Sequence, residues 1–191
     1  MSEHLLMRAR RGRRARRSRG QALVEFAAFF VLVMFLLAGV VNIGGLLNDH
    51  VSLEYATRQA ARTGAVLGQS SNADCAIVGA INAATSNMPN LQVNTIIIYK
   101  ANASGQPQGL STETIYSGTA TCDPLSGTIT PSATTNNYPP SSRSNTPYTE
   151  DSLGVEIDYS YTFQIPLITT GAFNAYDRAV MPVSPIVNPT P

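Results

Sequence analysis

The sequence predicts an α+β protein in which a long N-terminal helix crosses a membrane and runs on into a small domain built on an antiparallel sheet. Three observations predict it. Residues 21–47 read QALVEFAAFFVLVMFLLAGVVNIGGLL, with Glu25 as the only charge and nothing but apolar residues and glycine from 26 to 41. No proline occurs before Pro89, so the chain carries no helix breaker where the apolar stretch ends. Residues 154–165, GVEIDYSYTFQI, alternate apolar and polar side chains, the period of a strand with one buried face.

The chain has 191 residues, room for one compact domain beside a membrane segment. Its net charge of +1 conceals a strong polarity. Residues 1–20 hold eight arginines against Glu3 alone, about +7, and the remainder carries about −6. The segment 21–47 is about 40 Å long as a helix, enough for a hydrocarbon core of about 30 Å. Its N-terminal flank is the run RARRGRRARRSRG of residues 8–20, whereas the other flank has no basic residue before Arg58. The positive-inside rule therefore predicts a single-pass protein of the cytoplasmic (inner) membrane, its N-terminus cytoplasmic and its C-terminal domain extracytoplasmic. An arginine tract also suits nucleic acid or anionic lipid. Beside a spanning helix its topological role takes precedence, and no nucleic-acid partner is expected. The Arg16-Arg17 pair is what eight crowded arginines produce anyway, and it does not mark a twin-arginine signal.

Domain boundaries follow: a basic leader over 1–20, a transmembrane helix over 21–47, an extracytoplasmic helical segment over 48–88 and a β-rich region over 89–191. Within 51–68 the residues Leu53, Ala56, Ala60 and Gly64 share one helical face, and Glu54, Arg58 and Arg62 form a charged stripe at i, i+4, i+8. The helix is thus expected to continue to about Leu67. A second helix is predicted from Asn72–Asp74, whose side chains would cap it, to about Asn87. Strands are expected at 154–165 and at 90–101, NLQVNTIIIYKA, with weaker candidates at 113–117 and 177–183. Residues 123–150 are mostly Ser, Thr, Asn and Pro, which predicts an exposed or disordered loop excursion. The terminal PVSPIVNPTP is too rich in proline to extend a sheet. So few apolar strands need the emerging helix as a second layer.

Cys75 and Cys122 lie 47 positions apart, no metal or redox spacing. In an oxidising compartment they could form a disulfide contributing about 3–4 kcal/mol in the chain-entropy model, or remain two small apolar side chains.

The short motif at the junction of the basic tract and the apolar helix is GQALVEF, residues 20–26. A basic leader ending in glycine, then a glutamate five residues on and an aromatic, resembles the processing site of type IV and Flp-type prepilins. The wider stretch of residues 19–66, opening RGQALVEF and closing ATRQAARTGAV, resembles the TadE-like family of pilin-like proteins. The resemblance covers about a quarter of the chain. It implies cleavage by a prepilin peptidase between Gly20 and Gln21, and a role beside related pilin-like subunits and the assembly machinery of a tight-adherence pilus. Glu25 and Phe26 would then lie near the new N-terminus and set the helix register in an assembled bundle. An ionised carboxylate in the bilayer is unfavourable and requires a partner, and the new α-amino group of Gln21 on a neighbouring subunit would supply one. Alternatively Glu25 reaches the cytoplasmic interface alone. About 120 residues follow the helix, which sets the chain apart from a major Flp pilin and points to a minor or assembly component.

No catalytic set is legible. His4 and His50 are the only histidines, so neither a Cys–His nor a Ser–His–Asp arrangement can be built in the external domain. The carboxylates Glu150, Asp151, Glu156 and Asp158 suit solvation better than calcium, and no metal or cofactor is expected. Lys100 is the lone lysine and belongs to no phosphate loop. Asn102-Ala103-Ser104 matches a glycosylation acceptor pattern, a three-residue match of little specificity. The competing class is a signal-anchored cell-surface binding domain that shares only the anchor.

Overall fold

The computed structural model describes residues 3–163 and 171–185, with side chains over 20–162 and 171–185. Helix α1 spans Glu3–Leu67 without interruption. The chain divides into two compact units, one holding residues up to Gly44 and the other holding the rest of the described chain.

In the first unit α1 is exposed along its apolar length. Its most apolar window has no buried residue, and α1 is the one described helix long and apolar enough to cross a membrane. Phe26 and Phe30 stack along it with ring centroids 6.1 Å apart.

In the second unit the remainder of α1 joins helix α2 (Ala73–Thr85) and seven strands. These are β1 (Leu91–Lys100), β2 (Glu113–Ser117), β3 (Thr121–Asp123), β4 (Thr128–Thr130), β5 (Thr135–Asn136), β6 (Ser152–Phe163) and β7 (Gly171–Pro182). Five form one sheet in the order β5-β2-β1-β6-β7, every neighbouring pair antiparallel, and β3 and β4 form a separate hairpin. The alternation in β6 is realised in space: Leu153, Val155, Ile157, Tyr159 and Tyr161 are all buried.

The face of α1 carrying Leu53, Ala56, Ala60 and Ala61 is buried, and its small side chains let the sheet approach closely. Gly64 marks the tightest point. A Cβ there would lie 2.4 Å from Ile77 Cδ1 of α2 and 2.7 Å from Leu153 Cδ2 of β6. Ile77, Ile81, Ile96, Ile98 and Val183 complete the same core. On the opposite face of the sheet, Tyr99 lies so close to Gly154 that a Cβ there would come within 2.2 Å of its ring.

Three expectations need correction. The side chains of Asn72–Asp74 do not cap α2, because Asp74 turns inward to a buried partner and Asn72 makes no side-chain capping bond. The excursion over 123–150 is structured where disorder was among the expectations: it holds β4, β5 and a 3-10 turn at Pro140–Ser142, and buries Tyr138 and Arg143. The last strand is longer than 177–183, since β7 pairs residue for residue with β6 from Gly171 onward. Of the terminal PVSPIVNPTP, Val183 donates its N–H to Asp151 O at 2.8 Å and Ser184 to Ala65 O at 2.9 Å. Residues 186–191 lie outside the described chain.

Candidate functional site

The residues that the processing motif singles out all lie on α1. Gly20 sits within the helix, and a Cβ there would meet nothing within 4 Å. Gln21 donates its side-chain amide to Glu25 Oε1 at 3.1 Å, the i, i+4 geometry of one helical turn. Among the described residues, that neutral amide is the hydrogen-bond partner of Glu25. Phe26 is 65% exposed, available to lipid or to a neighbouring helix. The structure places these four residues within two turns of each other.

Cys75 and Cys122 belong to the second unit. They are joined as a disulfide that ties α2 to β3 with a Cα–Cα distance of 5.1 Å.

A buried polar network was missed from the sequence. Arg143 is 1% exposed and forms an ion pair with Asp74, itself 4% exposed. Its Nη1 donates to Gly68 O at 3.4 Å and its guanidinium lies 5.3 Å from the centre of the Tyr138 ring. Tyr116 donates to Asp74 Oδ2 at 3.1 Å and Tyr138 to Asp151 Oδ2 at 3.1 Å. Burial, then the neighbouring carboxylate, pushes the hydroxyls of Tyr116 and Tyr138 far above the ordinary tyrosine range, so both remain protonated donors. Lys100 Nζ approaches Asp151 Oδ1 at 2.6 Å and the Ser144 N–H approaches Oδ2 at 3.0 Å. Burial opposes ionisation of Asp151, but the bonds from Lys100, Ser144 and Tyr138 outweigh it and hold the carboxyl below its usual range. This network fastens the excursion to α2 and β1, a structural task.

The acids of the second unit do not converge. Asp151 pairs with Lys100, Glu156 with Arg178 at 2.6 Å, and Asp158 accepts from Thr95 at 2.6 Å. Among the described residues no three His, Cys, Asp or Glu side chains gather as a metal site. His50 meets Tyr159 Oη at 3.1 Å, with no described nucleophile or carboxylate in hydrogen-bond contact with its ring.

Fold and site together define a class: an α+β protein with one N-terminal apolar helix suited to a single-pass membrane anchor. Residues 20–62 match the family model described as TadE-like protein. The match begins at the glycine of the GQALVEF motif and ends on the part of α1 that packs in the core. Neither the curated proteins nor the solved structures yielded a match.

Proposed function

We propose that this chain is a pseudopilin or minor pilin-type protein of the cytoplasmic membrane that takes part in assembling a tight-adherence pilus. The observation that carries the proposal is the TadE-like match over residues 20–62. Those residues lie on one helix that is apolar and exposed before Gly44 and forms a core layer beyond it.

The leader stays cytoplasmic, held by its arginines, and the α+β unit is exported. A prepilin peptidase cuts between Gly20 and Gln21, leaving Glu25 fifth from the new terminus. The freed amine, cationic at neutral pH, then pairs with the Glu25 carboxylate of an adjacent subunit. A slip of one helical turn would separate the two charges by about 5 Å, so the pair fixes the axial register of neighbouring helices. The partners are the lipid bilayer, related pilin-like subunits and the assembly machinery.

Deletion of the gene in its host, with complementation by wild type or by Glu25→Gln, tests this. The proposal predicts loss of sheared surface pili on deletion, recovery with wild type, and poor recovery with Glu25→Gln at equal membrane abundance. Undiminished piliation in the deletion strain would refute it.

A further inference from the structure

The network that seats Arg143 also shapes one side of a cavity of about 220 Å³ in the second unit. The cavity lies between the start of α2, the β3–β4 hairpin and the segment 132–140, with the exposed side chains of Ser71, Ser132 and Asn136 on its lining. Its walls are tied to one another. The disulfide fastens β3 to α2. Gly127, in the turn of the hairpin at φ +69°, lies so close to Asn72 that a Cβ there would come within 2.2 Å of Asn72 Oδ1. Thr134 N–H bonds to Ile115 O and Asn137 N–H to Glu113 O, which fixes the third wall on β2. A site tied in place before a ligand arrives loses little freedom when the ligand binds.

Its buried end is polar. Asp74 is 4% exposed and lines the cavity. A carboxylate can accept about four hydrogen bonds, and Arg143 and Tyr116 are its partners among the described residues, so acceptor capacity remains. The Ser71 and Ser132 hydroxyls and Asn136 Nδ2 likewise have no hydrogen-bond partner among the described residues, Asn136 Oδ1 being occupied by Thr114 Oγ1 at 3.3 Å. Half-buried Ile129, Pro139 and Pro140 add apolar surface.

The charges restrict what can bind. Asp74 is the one carboxylate on the cavity lining, and Arg143 already balances it. An anionic ligand would meet Asp74 with no cation of its own to pair with. A cationic ligand would compete with Arg143, which is 1% exposed and has no water to move into. A neutral ligand with hydroxyl or amide groups fits both conditions. The volume equals that of about seven waters in the liquid, room for one six-membered sugar ring with its hydroxyls. Such a ring combines apolar C–H faces with hydroxyls that both donate and accept, which matches the apolar wall, the carboxylate and the unspent rim groups.

We infer that this cavity binds one neutral sugar unit, a hexose or N-acetylhexosamine, free or at the end of a glycan. Asp74 accepts from its hydroxyls, Ser71, Ser132 and Asn136 bond its remaining polar groups, and Ile129 and Pro139 pack on a C–H face. The inference is independent of the membrane and pilus readings.

The test uses the full chain in a zwitterionic detergent without a sugar headgroup. Saturation-transfer NMR is run with glucose, galactose, mannose and N-acetylglucosamine and with their methyl glycosides. At least one probe should bind with a Kd on the order of 1 mM. A methyl glycoside that binds as well as its free sugar points to a glycan end, and binding of the free sugar alone to a soluble one. In wild type the bound probe should shift amide resonances within 71–74 and 129–140, an arm free of substitutions. Asn136→Ala should weaken binding about fivefold, the effect of one net hydrogen bond. Ser132→Trp, which sets an indole over the cavity from an exposed position, should abolish it, and both variants should melt close to wild type. No transfer to any probe at about 20 mM, shifts confined to other parts of the chain, wild-type affinity in both variants, or tighter binding of glucuronate or glucosamine than of the neutral sugars would overturn the inference.

Discussion

Arg143→Met is the substitution with the largest predicted effect on the second unit. Arg143 and Asp74 are both buried, and the pair has little solvent to replace a lost partner. Removing the guanidinium leaves Asp74 with only the Tyr116 hydroxyl and strands an ionised carboxylate, a change that costs about 3–5 kcal/mol. The loss is partly offset, because Arg143 Nε has no partner, and a buried unsatisfied N–H itself costs about 1–3 kcal/mol. A net destabilisation of about 2 kcal/mol follows from the midpoints of the two ranges. In an Asp74→Asn background Arg143→Met strands no charge, and the double variant should lie within about 1–2 kcal/mol of wild type. The assay is equilibrium urea unfolding of the detergent-solubilised full chain with the disulfide intact, followed by near-ultraviolet circular dichroism. A single-variant effect below about 1 kcal/mol, or additive effects in the double variant, would refute the claim that this pair fastens residues 123–150 to α2.

Two further outcomes follow from the same packing. The Asp151 carboxyl is held below its usual range, so its contribution is present above the unfolded value near 3.8 and is lost as pH falls through the lower folded value. Wild type should therefore lose stability in acid more steeply than Asp151→Asn, as measured by urea midpoints between pH 5 and the lowest pH tolerated; parallel curves would contradict this. Gly64→Ala forces a methyl group against Ile77 and Leu153, both fully buried, and should cost about 1–3 kcal/mol, read as a lower melting temperature.

Much of this architecture was legible because hydrophobic period and chain stiffness report it directly. The unbroken α1 followed from an apolar run, a face of small residues and the absence of proline before Pro89. β6 and β1 followed from alternation and β-branched content. The first half of β7, Gly171–Tyr176, was not legible, since Gly, Ala and Asn have poor strand propensity and it is β6 that templates them. Arg143 stands in a polar stretch with no period, and its burial depends on Asp74, sixty-nine residues earlier. A basic residue five positions after Tyr138 and just beyond two prolines was the only local sign, and it is a weak one. The place of β7 at the end of the sheet could not be read either, because strand order comes from long-range pairing.

Gly20, Gln21, Glu25 and Phe26 were singled out by resemblance alone; the polarity of the flanks predicts a topology, and neither pointed to the buried network.

The most direct test of the account is the N-terminal mass of the chain extracted from its host membrane, compared between wild type and Gly20→Ala. Processing in the manner of a prepilin predicts a mature chain beginning at Gln21 in wild type, with the leader retained in the variant. A wild-type chain that keeps Arg8–Arg19 would contradict it, and would make α1 a permanent signal anchor.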